Sequence, residues 1–217
     1  MVQLSVTDLL THDADRLSVP GTGLTLSADA QDLLFRDGRT ANAFADQPVT
    51  DEQIAAIYDL VKWGPTAMNA QPLRIVLVRT DDARNELVAR MNDGNRARTA
   101  AAPLVAILAA DLDFHDEFPR TFPVHPGARA AFADEAARTS AATFNASLQI
   151  GYFLIGVRAA GLAAGPMGGF DHDAVSRHFF PDGRHRALLV VNLGYPTGSS
   201  YRPRQPRLPY DEVVSVA

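Results

Sequence analysis

The chain has 217 residues and a formal net charge of −5. A chain of this length fits one domain that hides roughly 70% of the surface its unfolded form exposes, so it needs no covalent staples. It has no cysteine, which excludes disulfides, thiolate metal sites and thiol nucleophiles, and its acidic balance argues against electrostatic binding to nucleic acid or to membranes. No apolar run approaches the ~20 residues that span a bilayer. The start, Met1-Val2-Gln3-Leu4-Ser5-Val6-Thr7-Asp8, lacks the basic segment and apolar block of a signal peptide. These features predict a cytoplasmic protein that acts on small molecules.

Residues 1–30, broken by Pro20-Gly21-Thr22-Gly23, read as an N-terminal extension, and residues 31–217 as a single α+β domain. Leu33-Leu34-Phe35 begins a short helix that leads into Arg39-Thr40. A second helix follows Pro48, where Thr50 and Gln53 form a capping box and Ile54, Ile57, Tyr58 and Val61 share one face. That helix ends at Gly64 and delivers the chain to the loop Pro65-Thr66-Ala67-Met68-Asn69-Ala70-Gln71-Pro72. The β-branched run from Leu73 to Val78 reads as a buried strand. Residues 81–99 read as a helix and a polar loop holding Asn92, Asn95 and Arg96.

Two more strands are expected, from Pro103 to Leu108 and from Ala187 to Leu193. Both are nearly continuous in apolar residues, as in a sheet covered by helices on both faces. Between them, residues 111–127 carry three prolines with Phe114, Phe118 and Phe122 and no clean period, which suits a functional loop or lid. Residues 128–161 form an alanine-rich helical stripe through Phe132, Ala136, Thr139, Thr143, Ala146, Ile150, Phe153 and Val157. Small residues on its other faces, such as Ala141, Ser147, Gly151 and Gly156, allow close approach of further helices. Pro166-Met167-Gly168-Gly169 reads either as a plain turn or as a segment whose glycines let main-chain N–H groups contact a planar ring.

The loop at 63–72 places small hydroxyl and amide side chains at the edge of an apolar strand, an arrangement suited to a flat heteroaromatic cofactor. The segment Gly64-Pro65-Thr66-Ala67-Met68-Asn69-Ala70-Gln71-Pro72 also resembles a segment of the flavin-dependent nitroreductase superfamily. Arg39-Thr40, Gly165-Pro166-Met167-Gly168-Gly169-Phe170-Asp171, Asn192-Leu193-Gly194-Tyr195-Pro196 and the arginines Arg204 and Arg207 follow in that family's order. The resemblance extends over residues 33–214. Lys62-Trp63-Gly64-Pro65-Thr66, Gly165-Pro166-Met167 and Arg207-Leu208 are most similar to the malonic semialdehyde reductase branch.

The resemblance implies a central mixed β-sheet flanked by helices, a long central helix at a homodimer interface, and FMN sites at that interface. NADH or NADPH would donate electrons, and a small electrophile would accept them by ping-pong hydride transfer. Malonic semialdehyde, reduced to 3-hydroxypropionate, is the first substrate implied. Nitroaromatics and quinones are alternative acceptors, and a flavin-binding protein without turnover is the alternative class.

The family's phosphate and ribityl contacts fall on Arg39, Arg204 and Arg207, since a guanidinium grips a phosphate through paired hydrogen bonds. Thr40 and Asn42 follow, and Asn42 departs from the family by standing where a basic residue is usual. Pro65, Thr66, Ala67 and Asn69 match residues that reach the flavin, the first three across the dimer. Asn95 matches an asparagine near the pyrimidine edge, and Pro166, Met167, Gly168 and Gly169 offer backbone to the ring. Phe118 and Phe122 are expected either to wall the substrate side or to anchor the loop in the core. No catalytic acid or nucleophile is assigned, because hydride passes directly between flavin and ligand; Arg129 and Tyr152 are candidate proton donors for aldehyde reduction. The six histidines show no ligand spacing, so no metal site is expected, and neither a G-x-S-x-G nor a P-loop is present.

Overall fold

A computed structural model describes residues 23–217. Most of the expected extension, including the break at Pro20, lies outside the described residues. The first element, α1 (Ala28–Gln31), is capped by Ser27 and passes without interruption into a π-helical turn, Asp32–Arg36.

Helix α2 (Asp51–Val61) starts at the expected capping box: the Thr50 hydroxyl accepts from the Gln53 amide, and the Gln53 side chain accepts from the Thr50 amide. Then follow β1 (Leu73–Val78), α3 (Asp81–Ala89) and α4 (Asp93–Ala100). The central strand β2 (Leu104–Asp111) leads through a short turn, α5 (Phe118–Thr121), to the long helix α6 (Glu135–Ala159). The chain continues with β3 (Ala163–Met167), α7 (His172–Phe179) and β4 (His185–Gly194), and closes with one helical turn, α8 (Tyr210–Val213).

The four strands form one sheet in the order β1-β2-β4-β3. Each adjacent pair is antiparallel, so the expected mixed sheet is an antiparallel one among the described strands. The reason for the difference is visible in β2, where every residue is buried. Leu104, Ala106 and Leu108 enter a cluster with Ile57, Val61, Phe153 and Val157, under α2 and α6. Val105, Ile107 and Ala109 enter a second cluster with Leu87, Phe170 and Val175, under α3 and α7. Burial on both faces produces a continuous apolar run whichever way the neighbouring strand points.

Two other expectations are revised. Residues 128–132 are a separate 3-10 turn, and α6 begins only after Asp134, whose carboxylate caps it at the Ala137 amide. Pro166 and Met167 belong to strand β3 rather than to a turn. Pro166 is tolerated because β3 pairs with β4 alone in the sheet, and an edge strand can spare one N–H.

The end of β2 is fastened by charge. Asp111 is 1% exposed and accepts from Arg74 at 2.7 Å and from Arg184 at 2.7 and 3.0 Å, tying β1 and the approach to β4 to the central strand. The hydrogen bonds that Arg184 donates to Asp111 hold its guanidinium above its ordinary pKa despite its partial burial. Replacing one member of a buried ion cluster strands its partners, at a cost of about 3–5 kcal/mol in the interior. The Asp111→Asn variant should therefore unfold at markedly lower denaturant than the parent; an unchanged midpoint in a urea titration would contradict this role.

Candidate flavin site

Two separate groups of the expected residues are assembled. The first gathers at the C-terminal end of α6. Arg158, in the last turn of that helix, donates to the Leu34 carbonyl at 2.8 Å, and its guanidinium occupies the space that a side chain at position 38 would need. Arg204 donates to the Arg36 carbonyl and to the Gly38 carbonyl, the latter at 3.3 Å. Arg39 lies 5.1 Å from the centre of the Tyr201 ring. Burial pulls the Arg158 guanidinium below its ordinary pKa; Tyr201 opposes this and the nearby Arg204 adds to it. Among the described residues, Arg39, Arg158 and Arg204 have no carboxylate partner within salt-bridge distance. Three converging cations without a counter-ion fit a phosphate dianion.

The same group continues inward. The Ala41 amide donates to the Ala164 carbonyl of β3, and the Asn42 amide to the Ser200 carbonyl. These bonds hold segment 39–42 against the sheet end. A Cβ on Gly165 would come within 2.6 Å of the Ala41 carbonyl oxygen, so only glycine admits this approach. Asn95, on α4, donates to the Gly169 carbonyl at 2.7 Å. Gly168 is fixed from the other side by His172, whose ring nitrogens lie 3.1 Å from the Gly168 oxygen and 3.0 Å from the Ala187 oxygen. Met167 turns its side chain into the core, 4% exposed, which leaves only its backbone for a ligand.

The second group is the loop after α2. The Ala67 amide donates to Asn145 Oδ1 at 2.7 Å, and Asn69 donates to the Thr121 carbonyl at 2.7 Å. Thr66 is engaged within the loop, accepting from the Gln71 amide at 3.2 Å. Met68, Asn69 and Gln71 all adopt left-handed backbone, with φ of 54°, 51° and 44°. Side-chain bonds of Thr66 and Asn69 hold this conformation, while Pro65 and Ala67 are exposed. Arg158, which marks the cationic group, stands thirteen positions along α6 from Asn145, which holds this loop. At 1.5 Å per residue the two lie about 20 Å apart along the helix.

Arg207 stays outside both groups; among the described residues its guanidinium donates to the Gln205 and Pro206 carbonyls. Of the candidate proton donors, Arg129 is paired with Asp116 at 2.7 Å, and Tyr152 packs beside Gly64. Sequence reading missed Arg158, Arg98 and His172. Arg98 had a legible signal, lying three residues after Asn95 on one helix and so on the same face. Arg158 had none, because a basic residue in a last helical turn reads as a solvated complement to the helix dipole.

The fold defines a class: an α+β protein whose sheet end and long helix gather cations and backbone groups in two places. The sequence profile of the Nitroreductase family matches residues 36–195. A Streptomyces coelicolor protein, provisionally named NADH dehydrogenase/NAD(P)H nitroreductase, is 60% identical over 88% of this chain and 98% of its own. A similarly named Ralstonia nicotianae protein is 46% identical over the same shares. Among solved structures, a nitroreductase of Bacillus subtilis superposes with a TM-score of 0.77 at 24% identity, covering 85% of this chain and 97% of that one. One from Exiguobacterium sibiricum, solved in complex with FMN, gives 0.77 at 16% identity, covering 88% and 98%. The chain belongs to the nitroreductase family, a family of oxidoreductases.

Of the two expected roles, Phe118 takes that of a core anchor. Phe118 is 2% exposed and packs with Phe114, Phe122 and Phe132 at ring separations of 5.6 to 6.1 Å, in a cluster with Ala70, Ala142 and Ala146. It anchors segment 111–127 to the core, and only Phe122 remains partly open. The Phe118→Ala variant should lose about 3–5 kcal/mol of stability by cavity formation. Phe122→Ala should lose clearly less, and equal losses in thermal unfolding would show that both rings are core.

Proposed function

We propose that this protein is an FMN-dependent NAD(P)H oxidoreductase that works as a homodimer, with residues 31–217 as the flavin-binding domain, residues 1–30 as an extension, and the cytoplasm as its compartment. The observation that carries the reading is the cluster of Arg39, Arg158 and Arg204 around Tyr201, without a carboxylate partner among the described residues and continuous with the Asn42, Asn95 and Gly169 segment. FMN matches such a site in both charge and shape. Bound there, it supplies hydride transfer, taking a hydride from NADH or NADPH and passing one to the oxidised substrate that next occupies the same face.

The residues of this chain do the rest. Arg39, Arg158 and Arg204 bind the phosphate, and the resemblance adds Arg207 from the tail. Thr40 and Asn42 would hold the ribityl chain and ring edge, Asn95 orients the Gly168-Gly169 backbone, and Pro166 to Gly169 would offer backbone to the ring. Phe122 limits access on the substrate side.

The loop Pro65 to Ala67 serves the site of the opposite subunit. Its distance of about 20 Å from the cationic group along α6 supports this assignment. So does an apolar stripe on α6: Phe144 is 64% exposed, Leu148 42% and Tyr152 47%, four residues apart on one face. Trp63 at 78% and Leu60 at 59% extend the patch, and exposed apolar surface of this kind marks an interface.

Malonic semialdehyde is the first acceptor to test, reduced to 3-hydroxypropionate, on the strength of the Lys62 to Thr66 and Gly165 to Met167 motifs. The relatives' names make a nitroaromatic the natural second acceptor, with a quinone as a third. The purified protein should carry FMN, and anaerobic mixing with NADH or NADPH should bleach the flavin absorbance, which malonic semialdehyde should restore. Arg39→Ala or Arg204→Ala should weaken FMN far more than riboflavin, since a charge-assisted hydrogen bond contributes on the order of 1.5–3 kcal/mol. Flavin that binds but resists bleaching would make the protein a binder without turnover. Recovery by quinone or nitroaromatic alone would move the substrate away from the aldehyde.

A further inference from the structure

His172 makes a pair of contacts that a neutral imidazole satisfies only by half. It is the first residue of α7 and is half-buried. Its Nδ1 lies 3.0 Å from the Ala187 carbonyl oxygen on β4, and its Nε2 lies 3.1 Å from the Gly168 carbonyl oxygen. A carbonyl oxygen only accepts, and a neutral imidazole has one N–H and one bare lone pair. Either tautomer therefore turns a lone pair on one of the two oxygens, whereas the imidazolium donates to both. The Phe170 ring, its centre 4.0 Å away and its plane tilted by 30°, offers an electron-rich face to that cation.

The backbone at both ends of this bridge is placed to take part. Strand β4 bulges at Leu188, since Leu189 pairs with Leu108 and Ala187 with Ala109. Beside the bulge, the Ala187 amide donates to Ser176 Oγ at 2.9 Å while its carbonyl faces His172, so α7 engages both groups. At the other end, open space stands where a side chain at position 168 would be. The next carbonyl, that of Gly169, accepts from the Asn92 amide at 3.1 Å and from Asn95 Nδ2 at 2.7 Å, and neither donor titrates. The Gly168 carbonyl accepts from the Phe170 amide at 3.2 Å and otherwise faces the one donor in this segment that can lose its proton.

The surrounding charges do not substitute for that proton. Among the described residues no carboxylate lies within salt-bridge distance of His172. Asp171 caps α7 at the Ala174 amide, and Asp173 is exposed in the first turn. On β4, Arg186 lines a cleft with Asp134 and Glu135 at the start of α6. Arg90, whose carbonyl accepts from the Asp171 amide, directs its guanidinium to Glu86 and His178, and Asp93 pairs with Arg96 at 3.0 Å. The α7 dipole opposes a cation at the helix start, so the two carbonyl oxygens are what favours the charged ring.

Resting on the flavin reading above, we propose that His172 is a positioning residue that holds the Gly168-Gly169 backbone in its flavin-binding arrangement only while both ring nitrogens carry protons. Loss of one proton turns one of the two attractive contacts into a repulsion between lone pairs. Ala187 is fixed within the sheet and Gly168 lies in a connection, so Gly168 is the end that lets go. The site therefore holds flavin most tightly with the imidazole charged, and that hold weakens as rising pH removes the proton.

The test uses the full-length protein loaded with FMN and isotopically labelled in histidine and glycine. Nitrogen NMR spectra are recorded as the pH is raised from about 5 to about 8, the span in which imidazoles ordinarily change charge. At the acid end both ring nitrogens of His172 should carry protons, and the Gly168 and Gly169 amide signals should shift with the same midpoint as the ring. FMN affinity is measured over the same range in the parent and in His172→Gln, so that ionisation of the FMN phosphate, common to both, divides out. The ratio of parent to variant affinity should fall about fivefold as the ring titrates, the difference between a charge-assisted and a neutral hydrogen bond.

A ring that carries a single proton throughout overturns the proposal, as does a ring that titrates while the Gly168 and Gly169 signals stay still. Both results come from the parent and stand even if His172→Gln fails to fold. An affinity ratio that stays constant while the ring titrates also overturns it, making His172 a structural support alone; all three leave the flavin reading intact. A parent that takes up no FMN fails that reading and the proposal with it, and this is seen before any variant is made.

Discussion

Helix α6 is the constraint around which this molecule is arranged. Its 25 residues make a rod of about 38 Å, packed through Ile150, Phe153 and Val157 against the sheet. It holds the loop after α2 through Asn145 and the cationic group through Arg158. A rod cannot fold back, so two groups of residues that resemble parts of one site remain far apart on one chain. The close packing that makes the rod stiff is itself specified by sequence. A Cβ on Gly156 would meet Val61 at 2.3 Å, so glycine is what lets α2 and α6 touch.

The sheet supplies the other fixed reference. With β2 buried on both faces, its neighbours β1 and β4 are held in register, and Asp111 fastens one end through two arginines. At the opposite end, Gly165 and Asn192 stand in register on β3 and β4. The absence of a side chain at Gly165 admits segment 39–42, and Asn192 reaches the Arg98 backbone. The candidate flavin groups thus rest on the most buried part of the fold, and such support keeps a binding site within the narrow tolerances that chemistry needs.

Much of this was legible in the sequence because it is encoded locally. The capping box at Thr50 and Gln53, the apolar periods of β1, β2 and β4, and the helical stripe of α6 are all short-range patterns. The resemblance likewise named Arg39, Asn95 and Gly169 from their order along the chain, and Asn95 does meet Gly169. What escaped is non-local. Strand β3 was hidden because Ala163-Ala164-Gly165-Pro166-Met167 has a turn-like composition and becomes a strand only by pairing with β4. The direction of the strands leaves no trace in a run that is apolar throughout. Phe118 looks identical whether it walls a cleft or fills a core, since only packing with Phe114 and Phe132 decides. Arg158 becomes part of a cationic group because a chain segment more than a hundred residues earlier returns to its side.

The central claim is that each flavin site is built from the cationic group of one subunit and the Pro65 to Ala67 loop of the other. Subunit mixing tests it directly. One variant carries Arg39→Ala with Arg204→Ala, the other carries the bulky Ala67→Trp on the exposed loop, and each alone should bind little FMN. Unfolding and refolding the two together in equal amounts should restore FMN to on the order of a quarter of the sites, because half the dimers are mixed and two-fold symmetry leaves each of those one intact site. If the mixture binds no more FMN than the separate variants, while mixed dimers are present by mass measurement, both groups belong to the same chain's site and the account is wrong.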